Sequence, residues 1–133
     1  RLTELNDFGI TSSPAIERIQ AQGAVLMRQA GYGFSADGRN YGMAPRLPRL
    51  LRETGYKNVR PLACAVDFSA NTDAWIDFYR NFEVTFTQGK RMNVAMKLFT
   101  EEEYDQLFQQ FLVEMRSADF WGMCQLLSAF GQK

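Results

Sequence analysis

The chain has 133 residues with 46% apolar side chains, enough for one small domain with a modest core and too apolar for a disordered polar segment. Fifteen Lys and Arg balance fifteen Asp and Glu, so no excess positive charge draws the chain to nucleic acid or to an anionic membrane surface. Histidine is absent, which excludes within this chain the usual Cys/His zinc sites, Ser-His-Asp or Cys-His nucleophilic centres and a histidine base.

Arg1 to Leu5 alternates apolar residues with polar ones as if entering midway along a strand, and breaks at Asn6-Asp7-Phe8-Gly9. Ile16, Ile19, Gly23, Leu26 and Ala30 then recur at spacings of three and four behind Ser13-Pro14, which predicts an amphipathic helix with a serine cap and proline in its first turn. Residues 31–42 are a glycine- and tyrosine-rich turn. Its Gly31-Tyr32-Gly33 follows a helix, whereas a phosphate-cradling loop must follow a strand, so no cofactor loop is expected there. Leu47, Leu50 and Leu51 mark a short helix with Pro48 in its first turn and Gly55 as a left-handed stop.

Leu62, Cys64, Val66 and Phe68 alternate with Ala63 and Ala65, predicting a strand covered on both sides. Behind Asn71-Thr72-Asp73, read as a cap and acidic start, Trp75, Phe78, Tyr79, Phe82 and Phe86 trace one side of a helix running toward Gly89. Asp73 and Asp77 lie one turn apart, but acids at a helix start serve the dipole, so no metal site is expected. Thr100 and Glu103 form a capping box before a stripe of Tyr104, Leu107, Phe108, Phe111 and Met115. The chain closes on Phe120 to Phe130, where Trp121, Met123 and Leu127 oppose Cys124 and Leu126, a strand apolar on both faces and therefore central. Cys64 and Cys124 read as buried reduced thiols.

Two segments carry a resemblance. Leu47 to Val59, reading LPRLLRETGYKNV, is similar to the stretch that leads into the sixth strand of Rossmann-like (class I) S-adenosylmethionine-dependent methyltransferases, and Leu126 to Lys133, reading LLSAFGQK, is similar to their last strand. The resemblance implies an α/β fold: the carboxy-terminal, substrate-side part of that domain over residues 1–133, made of the last three strands with the closing one antiparallel between the other two. A helical insertion from about 71 to 117 would precede the last strand. The implied activity is methyl transfer from S-adenosyl-L-methionine to a small-molecule acceptor, catalysed by the complete protein and not by this segment alone. The cofactor would be bound mainly by a preceding amino-terminal half.

On that resemblance the acceptor pocket gathers Asn6, Phe8, Tyr32, Tyr41, Arg46, Phe78 and Tyr79, with Asp7 placed to orient or deprotonate an acceptor hydroxyl or amine. Asn6-Asp7-Phe8-Gly9 also reads as an ordinary turn, and Tyr32, Tyr41 and Arg46 as exposed loop residues. The aromatic stripe likewise reads as core or dimer contact. The competing function is a non-catalytic dimerisation or docking module derived from such an enzyme. Expected partners are the acceptor and the amino-terminal half or a second subunit in a homo-oligomer, with no nucleic acid and no membrane. No apolar run approaches the roughly 20 residues that cross a bilayer, and the expected location is cytoplasmic.

Overall fold

The structure, a computed structural model, describes residues 2–5, 9–31 and 43–133. Its organising element is the last strand, β4 (Gly122–Gln132). β1 (Leu2–Leu5) lies on one edge of it, with Leu2 opposite Ala129 and Leu5 opposite Leu126. β3 (Lys57–Asp67) lies on the other, with Pro61 opposite Ala129 and Asp67 opposite Met123. The two-residue β2 (Ile10–Thr11) prolongs the β1 edge. Every pairing is antiparallel, so β1 and β3 run parallel to each other with the closing strand between them, the order expected from sequence. Gly9 has φ 84, and a Cβ there would stand 2.1 Å from the Met123 carbonyl oxygen, so only glycine lets the chain pass into β2.

Alternation along β4 gives the sheet two different faces. Cys124 points into the main core, where Ile16 and Ile19 of α1 (Pro14–Gln29), Phe82 of α3 (Trp75–Ala95) and Phe111 of α4 (Glu101–Glu114) meet Phe68. Ala129, of opposite parity, packs with Leu47 of α2 (Leu47–Glu53) in a smaller cluster joined by Leu51 and Leu127. Helices therefore cover both faces, each over part of the sheet only.

The helix ends follow from local chemistry. Ser13 Oγ accepts from the Ile16 amide at 3.1 Å, and Pro14 starts α1 where a missing N–H is harmless. In the capping box the Glu103 amide donates to Thr100 Oγ1 at 3.1 Å and the Thr100 amide to Glu103 Oε2 at 2.9 Å. Beyond α2, Gly55 has φ 87 and the Tyr56 amide returns to the Leu51 carbonyl at 3.0 Å, a left-handed stop that leads directly into β3.

Four sequence expectations are corrected. β3 is not covered on both sides: Leu62 is 53% exposed, and Cys64 and Ala65 are exposed, because the helical layer sits over the Val66 and Cys124 end of the sheet. For the same reason Cys64 is an exposed thiol and only Cys124 is buried. β4 is central by pairing but not buried on both faces, since Trp121, just before it, and Met123 are exposed. Asn71-Thr72-Asp73 does not cap α3. Asn71 is left-handed at φ 68, Thr72 Oγ1 donates to the Ser69 carbonyl at 2.8 Å, and the helix starts at Trp75 and continues through Gly89.

Candidate functional site

Of the residues expected to line the acceptor pocket, Asn6, Asp7, Phe8, Tyr32 and Tyr41 lie outside the described residues. Arg46 ends the short 3-10 turn Ala44–Arg46 and is exposed, ahead of α2 on the sheet face away from the main core. Phe78 and Tyr79 come together on α3, within or against that core. The Phe78 ring stacks flat on Phe68, with centroids 4.3 Å apart and planes 3° from parallel. The Tyr79 ring is buried against Phe111 at 6.0 Å, with the Arg116 guanidinium 5.1 Å from its centroid. The Tyr79 hydroxyl is buried and has no hydrogen-bond partner.

A concave site lies between α1 and α3. It is a cleft of about 130 Å³ whose apolar wall is built from Ile19, Leu26 and Phe86. Gly23 of α1 opens it, because a Cβ at that position would meet nothing within 4 Å. On α3, Gly89 lies beside Tyr104 of α4, whose hydroxyl oxygen is 3.4 Å from the place a Cβ would occupy, an ordinary contact distance. The Tyr104 hydroxyl donates to the Phe86 carbonyl at 2.7 Å, and burial pushes its pKa up to about 12, so this wall is neutral.

Two carboxamides face the cleft with unmet hydrogen-bonding capacity. Asn93 is only 6% exposed. Its Nδ2 donates to the Gly89 carbonyl at 2.9 Å, which fixes the amide's orientation and leaves Oδ1 buried without a donor. Gln20 Nε2 on α1 is likewise buried without an acceptor. Leaving such an atom unpaired costs about 1–3 kcal/mol, so the pair marks a place where the fold forgoes stability.

No family model and no curated protein matches this chain.

What the cleft can do therefore follows from its own chemistry. Among the described lining residues it offers one unpaired buried donor and one unpaired buried acceptor beside apolar side chains, and no charged side chain. Among the described residues no group of three or more His, Cys, Asp or Glu could hold a metal ion, and no helix is long and apolar enough to cross a membrane. Gln20 and Asn93 were not singled out from sequence, although a signal for Asn93 existed. Phe82, Phe86, Gly89 and Asn93 keep the four-three-four spacing of a buried helix face, so an amide falls where an apolar residue would continue the stripe.

Proposed function

We propose that this chain is the substrate-side part of a class I S-adenosylmethionine-dependent methyltransferase, and that the complete protein methylates a small molecule. The observation that carries this reading is the strand order: β4 antiparallel between two strands that run parallel to each other. Further support comes from the helix that is stopped at Gly55 and feeds directly into β3, one of the two segments that carry the resemblance to the family. The described residues do not fit the cofactor. The connection from β2 to α1 runs through Ser12 and Ser13, and that from β3 to α3 through residues 68–74, neither with a glycine. A phosphate- or ribose-cradling glycine loop is thus not formed by them, and cofactor binding is assigned to the amino-terminal half.

Within this chain the proposed role of Asp7 is to accept the acceptor's proton or hold its hydroxyl or amine in line, with Asn6 fixing orientation. Replacing Asp7 by Asn in the complete enzyme is expected to lower kcat by about tenfold or more while leaving cofactor affinity unchanged. Steady-state kinetics with the native acceptor test this; unchanged turnover would leave Asp7 as a turn residue.

The exposed apolar residues supply a second element of the proposal. Ile10 lies opposite Met123 at the β2 end of the sheet, Trp121 is two residues before Met123, and all three are exposed. Such a surface suits association with a second copy or with the cofactor-binding half.

A further inference from the structure

We propose that the cleft between α1 and α3 is a binding site for a small uncharged molecule carrying a carboxamide or lactam group on an apolar body. The argument starts from Asn93, whose side chain is more than nine-tenths buried and whose Oδ1 has no donor, because Nδ2 is already committed to the Gly89 carbonyl. That oxygen calls for an N–H or O–H from whatever fills the cleft. Gln20 Nε2, buried on the facing helix and lining the same cleft, requires an acceptor. A primary amide or lactam offers both, an N–H and a carbonyl on adjoining atoms.

The rest of the lining selects against other classes. The Tyr104 hydroxyl is already donating to Phe86, and burial keeps it neutral, so it supplies no charge. With no Lys, Arg, Asp or Glu among the described lining residues, an ionic ligand would be desolvated against them without a counter-charge. A hydrocarbon would fill the space against Leu26 and Phe86 but leave both amide atoms unpaired. The enclosed volume of about 130 Å³ is below the roughly 150 Å³ of an apolar cavity that admits benzene, so a single ring with one polar group would seat its amide toward Gln20 and Asn93 and leave part of the ring in the open mouth of the cleft. Gly23 leaves space beside it, as no atom of the described residues lies within 4 Å of the place a Cβ would take. This site does not depend on the methyl-transfer reading and uses none of the residues assigned there.

Benzamide is the probe, with benzoate as its charged counterpart and toluene as its apolar one. Titrated into the protein and followed by the side-chain amide resonances of Gln20 and Asn93, benzamide is expected to shift both saturably. It is also expected to bind about tenfold or more tighter than either control. Gly23→Leu fills the open volume on a residue that favours helix, and is expected to abolish binding with the circular dichroism spectrum unchanged. If that variant does not fold, Gln20→Met serves instead and should bring benzamide affinity down to that of toluene. Absence of a saturable shift would show a water-filled cleft only and overturn the proposal. Equal affinity for toluene and benzamide, or binding that survives in the folded variant, would overturn it as well.

Discussion

Phe68 is the residue on which most of the core turns. It is fully buried just past the end of β3, stacks on Phe78, meets Phe82 and Phe120 at 5.8 and 6.1 Å, and closes over Gly122 of the central strand. A Cβ at Gly122 would lie 2.3 Å from the Phe68 ring, and the flat stack on Phe78 leaves that ring nowhere to retreat. Gly122→Ala is therefore expected to destabilise the protein by about 1–3 kcal/mol through overpacking. Urea unfolding measures this, and an unchanged midpoint would mean that the ring has room to shift. Sequence alone placed Phe68 on an apolar strand face but could not reveal this contact, because 54 positions of chain separate the two residues. That Gln20 Nε2 and Asn93 Oδ1 lack partners was hidden for the same reason, even where the spacing marked Asn93: whether a polar atom has a partner is a tertiary fact.

At the scale of elements, local signals read well except for the Asn71-Thr72-Asp73 cap expected for α3, and coverage read poorly. The serine cap of α1, the Thr100 capping box and the Gly55 stop depend on residues within three or four positions of one another, and all stand as expected. The carboxylate that completes the α1 cap does not: Glu114 of α4 accepts from Ser13 Oγ and, at 3.2 Å, from the Ala15 amide. The capping box also makes a pH prediction. Its hydrogen bonds, first the Thr100 amide and then its hydroxyl, hold the Glu103 carboxyl below its ordinary value of 4.5. The folded state then binds fewer protons than the unfolded one, so the contribution is fully present above the ordinary carboxylate range. It fades as pH falls through the lowered folded value. Thr100→Ala is expected to lower the thermal midpoint at neutral pH, with the difference from the parent narrowing under acid. A difference that stays constant across the acid range would contradict this origin.

For the whole molecule, the order of strands was expected from the resemblance and from the two-faced apolarity of the closing strand; the order stands, although Met123 leaves that strand exposed on one face. The coverage of β3 was not legible, since an apolar run such as Leu62 to Val66 records composition and not what lies above it. The exposed Leu62, Ile10, Trp121 and Met123 lead to the expectation that the chain associates with a second copy or a cofactor-binding half. Light scattering returning a stable monomer across concentration would count against that. The proposed activity is tested most directly by calorimetric titration of S-adenosylmethionine into the complete protein and, separately, into this chain. Micromolar binding to the complete protein and no measurable heat from the chain alone are expected; micromolar binding to the chain alone, or none to the complete protein, would contradict the assignment.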